Sequence, residues 1–261
     1  MNALEEVFAR ARAQERAALI CYLPAGYPDL ETSRAAVRAL AEEGADVVEV
    51  GVPYTDPLMD GPVVEQAASA ALAAGFRLPQ VFDVVQAVQE AGAVPVVMGY
   101  WNPVLRYGPD RFAADLAAAG GAGMITPDLV PDEAAAWITA AQDQGLSPIF
   151  LVAPSSTTER LAMTTGACRG FVYVASTMGV TGVRESVGDS AQVLVERTRA
   201  VTDLPLAVGL GVSTGDQAAQ VARFADGVIV GSALVRALTA DPSLEGLRAL
   251  TRELAAGVRR R

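Results

Sequence analysis

Residues 47–62 read VVEVGVPYTDPLMDGP. One carboxylate, Glu49, interrupts an apolar run. Two more, Asp56 and Asp60, follow in a proline-rich loop. A carboxyl in apolar surroundings holds its proton to higher pH, because desolvation disfavours the charged form. Such a group can donate a proton and recover it near neutrality. The competing reading is a structural carboxylate paired with an Arg or with backbone N–H groups. Asp60, next to a Gly, could equally form an Asx-turn, and Asp56, before Pro57, reads as a turn residue. Two absences narrow the chemistry. The chain has no histidine, and its twenty cations are all arginine. No lysine imine can form, either to a carbonyl substrate or to pyridoxal phosphate. A Ser-His-Asp triad and a His-rich zinc site are excluded too. Carboxylates, hydroxyls, Tyr, Cys, Arg and the backbone remain.

Three glycine-rich segments suit an anion: STMGVTG (176–182), GLGVSTG (209–215) and GSA (231–233). Glycine lets backbone N–H groups approach a ligand, and a helix N-terminus carries partial positive charge. No cation lies inside any of the three, so N–H groups and the hydroxyls of Ser232 and Thr181 would do most of the binding. The alternative is a set of tight turns that need glycine for positive φ. Tyr173 alternates with Phe171, and a core tyrosine is its default reading. Tyr22 and Tyr100 stand at the ends of apolar runs, where they would line an aromatic pocket or simply close the core.

These residues need a scaffold. Eight short apolar runs recur: 18–24, 46–53, 94–100, 122–127, 147–154, 171–176, 204–211 and 227–232. They are apolar on both faces, as parallel strands covered by helices must be. The connectors read as helices. DLETSRAAVRALAEEG carries Ala36, Val37, Leu40 and Ala41 on one stripe and stops at Gly44. PDEAAAWITAAQDQG opens at Pro131 and stops at Gly145. Eight strand–helix units predict a closed (β/α)8 TIM barrel over 1–261 as a single domain, with extra helices before Arg16 and after Ser243; a doubly wound open sheet is the alternative. Within the runs Val47, Glu49 and Gly51 share a face, which in a barrel can be the interior. Two strand-to-strand gaps are long, about 48 residues after the second run and about 35 after the sixth, where most units take about 21–28. Loops at these C-terminal strand ends build barrel active sites, so 54–61 and 177–189 are expected to be functional loops and lids.

Composition sets the class. The chain has 261 residues, 51% of them hydrophobic, and a net charge of −10. That acidity disfavours nucleic acid and anionic membranes as partners. The first residues carry charges and no apolar h-region, so no signal peptide is expected. The charge-free stretch 91–105 is too short and too broken by Gly, Pro and Asn to span a bilayer. Cys21 and Cys168 sit in or beside apolar runs and read as buried thiols in a reducing cytoplasm.

Taken in order, EVGVPYTDPLMDGP, GVTG, GLGVS and ADGVIVGSALV resemble the tryptophan synthase alpha subunit family from about Tyr22 to Leu238. Three segments depart from the family's commoner form: Val63-Val64-Glu65, Gly209-Leu210-Gly211 and PDLVPDE (127–133). The resemblance implies a (β/α)8 lyase that cleaves indole-3-glycerol phosphate to indole and D-glyceraldehyde 3-phosphate in tryptophan biosynthesis. By matching positions, it implies that Glu49 is the general acid–base, that Asp60 holds the indole N–H and that Tyr173 is the active-site tyrosine. It also implies that Tyr22 and Tyr100 line the pocket, that Thr181 is the lid threonine, and that Gly182, Gly211, Gly231 and Ser232 bind phosphate. No cofactor and no metal are implied for this chain. The implied partner is the pyridoxal-phosphate beta subunit in an α2β2 assembly, facing Pro53, Asp56, Leu58, Asn102 and Pro103. A free-standing indole-glycerol phosphate lyase is the alternative, and another phosphate-binding barrel is a third reading. The missing Lys and His fit the lyase. Indole protonated at C3 is its own electron sink, so a retro-aldol cleavage needs neither an imine nor a metal.

Overall fold

The computed structural model describes residues 2–175, 187–209 and 211–260. Among them, nine parallel strands form one sheet: β1 Ala18–Pro24, β2 Val47–Gly51, β3 Val94–Met98, β4 Gly123–Ile125, β5 Ser147–Ile149, β6 Leu151–Val152, β7 Val172–Ala175, β8 Leu206–Gly209 and β9 Gly227–Val230. Their order is β5-β4-β3-β2-β1-β9-β8-β7-β6. The two ends of that order, β5 and β6, are halves of one expected strand, interrupted only at Phe150. The first half pairs with β4 and the second with β7, and the Tyr173 N–H donates to the Phe150 carbonyl at 3.2 Å. One strand thus joins both edges and the sheet closes as a barrel. Eight runs were expected, and all eight supply barrel strands; the open sheet is excluded.

Side-chain alternation sorts the core in two. The outward positions, such as Leu19, Cys21, Val48, Val50 and Val97, pack against the helices. The inward positions Ala18, Ile20, Val47, Val96, Ile125, Ile149, Phe171, Ala207 and Ile229 form a separate interior cluster. The extra N-terminal helix, Ala3–Ala13, puts Leu4, Val7, Phe8 and Ala11 into that same interior cluster. It therefore plugs the barrel floor, with Phe8 and Phe171 ring centroids 5.6 Å apart. Its apolar stripe has a capping box at Asn2, whose side chain also donates to Ser147 at 2.7 Å.

Two aspartates bolt strand starts together in the same way. Asp46 accepts the Leu19 N–H and a two-pronged Arg16 guanidinium at 2.6 and 2.8 Å. Asp226 accepts the Leu206 N–H and Arg199. Both open the related stretches ADVVEVG and ADGVIVG.

Helix Leu30–Glu42 starts on the Asp29 side chain, ends before Gly44 at φ 105°, and buries Ala36, Val37 and Leu40, with Ala41 half-buried. At 131 the expectation needs correcting. Pro131–Glu133 is a separate 3₁₀ turn and the α-helix is Ala135–Asp143, because the chain breaks at Ala134 before the helical ladder begins. The helix expected after Ser243 is Glu245–Gly257. The excess length after β2 is mostly helix rather than loop: Pro62–Ala73 precedes the helix Val81–Glu90 that covers the next strand. Segment 177–186 of the second expected lid lies outside the described residues. Among the described residues no helix is long and apolar enough to cross a membrane. Both cysteines are free and buried, and burial pushes the Cys168 thiol up to about 12.

Candidate active site

The inward face of β2 runs Val47, Glu49, Gly51 toward the C-terminal mouth. Val47 belongs to the interior cluster, so alternation puts Glu49 inside as well. Its register neighbours are Tyr22 on β1 and Val96 on β3. Glu49 is fully buried, and among the described residues neither carboxyl oxygen has a hydrogen-bond partner. Among the described residues, therefore, no Arg or backbone N–H group pairs with this acid as the structural reading requires. Burial alone raises the Glu49 pKa from 4.5 to about 8. A carboxyl in that range is neutral at pH 7 yet releases its proton readily.

Glycines on adjacent strands make room for two tyrosines above this acid. A Cβ at Gly51 would sit 2.4 Å from the Tyr22 hydroxyl, and one at Gly231 would touch the same ring at 3.4 Å. A Cβ at Gly209 would sit 2.7 Å from the Tyr173 hydroxyl. Tyr173 is thus an interior, half-buried residue of the mouth, not merely core filling. Burial raises both phenol pKa values, and the charges of Glu49 and Asp60 add to the effect. Glu49, Asp60, Tyr22 and Tyr173 therefore share one electrostatic environment.

Asp60 reaches the mouth on the loop after β2. It is half-buried and accepts from the Tyr100 hydroxyl at 3.2 Å. Burial raises its pKa; the Tyr100 hydrogen bond opposes that, and nearby Glu65 adds to it. Tyr100 lies two residues beyond the end of β3 and is almost wholly buried. Its ring packs on Tyr54, with centroids 5.4 Å apart. Its hydroxyl also takes the N–H groups of Leu58 and Met59. Tyr22 sits inside β1 rather than at its end. Asp56 bonds Thr55 locally, as a turn residue does.

The glycine segments divide. Gly211 has φ 69°, a backbone only glycine adopts easily, and a Cβ there would meet nothing within 4 Å among the described residues. Gly231 has φ −122°, so the Tyr22 ring, not backbone geometry, is what sits against it. Ser232 is the first residue of helix Ser232–Ala240, whose opening N–H groups have no intrahelical acceptor. Thr181 and Gly182 lie outside the described residues.

Of the expected partner-facing residues, Leu58 is 77% exposed and Asn102 and Asp56 are exposed, with Pro103 half-buried. Met59 and Leu105 are exposed beside them in sequence. Pro53, by contrast, is buried in this chain. Sequence reasoning passed over Tyr54, whose hydroxyl accepts from Asn102 at 3.1 Å and so ties the two loops together. It also passed over Asp128, which takes the Trp101 N–H and so caps helix Trp101–Tyr107.

Comparison with known proteins agrees with this geometry. The family model described as tryptophan synthase alpha chain matches residues 8–259. The tryptophan synthase alpha chain of Mycobacterium marinum is 60% identical over 99% of this chain and 95% of its own length. That of Mycobacterium tuberculosis is 61% identical over 98% and 94%. A solved structure of Mycobacterium tuberculosis tryptophan synthase superposes with a TM-score of 0.93 at 60% identity, covering 98% of both chains. The alpha subunit from Legionella pneumophila, at 32% identity, still gives 0.90 over 99% of this chain and 98% of its own. With the match running almost end to end in sequence and in fold, the chain belongs to the tryptophan synthase alpha chain family.

Proposed function

We propose that this chain carries out the alpha reaction of tryptophan synthase, cleaving indole-3-glycerol phosphate to indole and D-glyceraldehyde 3-phosphate. The observation that carries the mechanism is the fully buried Glu49 carboxyl at the barrel mouth, which has no hydrogen-bond partner among the described residues. Neutral Glu49 gives its proton to C3 of the indole, forming an indoleninium. The resulting carboxylate takes the proton of the hydroxyl on the glycerol carbon attached to C3. As the C–O double bond forms, the C–C pair flows into the ring and restores indole, and Glu49 ends protonated as it began. Each transfer of this kind is worth about 10²–10⁴-fold. Asp60, whose charged form the Tyr100 hydrogen bond favours against the burial that raises its pKa, accepts the indole N–H and steadies the positive charge that develops there. Tyr173 and Tyr22 wall the ring, and the Gly209 and Gly51 positions leave space for them.

Gly211, Gly231 and Ser232, with Thr181 and Gly182, hold the phosphate through backbone N–H groups and hydroxyls, so distant binding energy orients the reacting bond. The beta subunit is the partner the family implies, and an α2β2 assembly docking at Leu58, Asp56, Asn102 and Pro103 fits their exposure. The relatives named above are synthase chains or synthase structures, which favours this reading over a free-standing lyase. The test is indole release with beta subunit titrated in. The expected result is turnover that rises with the partner, and a loss of at least about 100-fold in Asp60→Asn. Full activity without partner would select the free-standing lyase, and no indole under either condition would refute the reading.

A further inference from the structure

We propose that Tyr100 is a positioning residue, whose hydroxyl ties the Leu58–Asp60 segment to the strand below and sets the Asp60 carboxylate for its substrate. The inference deepens the reading of Asp60 above and rests on it. One phenol oxygen gathers three contacts from this short segment. It accepts the Leu58 N–H at 3.1 Å and the Met59 N–H at 3.0 Å, and donates to Asp60 Oδ1 at 3.2 Å. Two acceptor lone pairs and one donor hydrogen are all a phenol offers, so its capacity is fully spent on the segment.

The rest of the segment is loosely held. Leu58 is 77% and Met59 47% exposed, so apolar packing does not anchor them. Tyr100, by contrast, is almost wholly buried, with Tyr54 against its ring. Its position is secured from below as well, since it directly precedes helix Trp101–Tyr107, whose first N–H is capped by Asp128. A rigid residue thus fixes an exposed one, and the direction of restraint runs from Tyr100 to Asp60. A phenol is suited to this work, because it serves as acceptor to the amides and as donor to the acid. Phenylalanine would keep the ring contact and lose all three hydrogen bonds.

The same hydroxyl favours the charged form of Asp60. Among the described residues, the other titratable groups around Asp60 are Glu65 on helix Pro62–Ala73, Glu49 on β2, Tyr22 on β1 and Tyr173 on β7. All are acids. Among the described residues Tyr100 is therefore the group seen to donate to this carboxylate.

The experiment is Tyr100→Phe, assayed for indole release as the complex with the beta subunit across pH. The expected result is a kcat lower by on the order of 10-fold, with KM changed far less, and an acid limb displaced to higher pH. In the cycle with Asp60→Asn, the double variant is expected to lose little beyond Asp60→Asn alone. Amide exchange at Leu58 and Met59, which needs no turnover, is expected to quicken in Tyr100→Phe. An unshifted acid limb with a uniform loss, fully additive losses, or unchanged exchange at both amides would each overturn the proposal. Silent wild-type enzyme would instead refute the lyase reading, with the exchange measurement still deciding the clamp.

Discussion

Glu49 should cost the fold stability at the pH where the enzyme works. Its carboxyl titrates at 4.5 when free and at about 8 in the barrel. The folded pKa is raised, so the unfolded chain loses its proton first. The stabilisation that comes from keeping the neutral form is complete below 4.5 and is lost as pH climbs to about 8. Each pH unit in that window costs about 1.4 kcal/mol. Between about pH 5 and about pH 7.5 the loss comes to about 3 kcal/mol. Glu49→Gln keeps the shape and cannot ionise, so its stability curve lacks this slope. Urea unfolding of both proteins at the two pH values measures it, and the titrations of all other groups cancel in the difference. The variant is expected to gain about 3 kcal/mol on wild type over that interval. The same variant is expected to lose indole release by at least about 10²-fold, because both proton transfers pass through this carboxyl. Stability curves that stay parallel would show that Glu49 does not enter the fold as a neutral acid. Substantial turnover by the variant would remove its acid–base role. In wild type, the alkaline limb of kcat/KM is expected near about 8, where Glu49 gives up its proton.

Gly209→Ala places a methyl 2.7 Å from the Tyr173 hydroxyl. The ring must shift into the substrate's space, so kcat/KM should fall by on the order of 10-fold while stability drops by about 1–3 kcal/mol. Wild-type kinetics would show that Tyr173 does not wall the site. Arg16→Ala leaves Asp46, which is largely buried, with the Leu19 N–H and a distant Arg10 at 3.9 Å as its compensation. Unfolding free energy should fall by about 3–5 kcal/mol, read by denaturant titration, and a loss below about 1 kcal/mol would refute the bolt.

Much of the barrel was legible because its signals are local. Parallel strands covered on both sides must be apolar throughout, so eight Val- and Ile-rich runs could be counted directly. Helix ends carried their own marks in Asp29 and Gly44, and a period of two put Glu49 on the face of Val47 before any coordinates. Pro131 misled for an equally local reason. Proline suits the first turn of a helix, but it suits a 3₁₀ turn as well, and the two differ only in which carbonyl the next N–H groups reach. Burial was not legible in the same way: Pro53 is buried while Asp56 and Leu58, close by in sequence, are exposed, because sequence neighbours need not share burial in a loop.

The sequence by itself determined the eight strand runs, the face that Glu49 shares with Val47 and, through the missing Lys and His, the small set of groups able to move protons. Those follow from alternation and composition, which need no distant contact. The tertiary structure alone decided three further things. It closed the barrel at Phe150, where one strand is shared between β4 and β7. It used the Ala3–Ala13 helix as the floor. Among the described residues it left the Glu49 carboxyl without a hydrogen-bond partner while giving Tyr100 three, across 40–42 residues of chain. A pKa and a hydrogen bond depend on what lies within a few ångströms, and only folding decides which distant residues come that near.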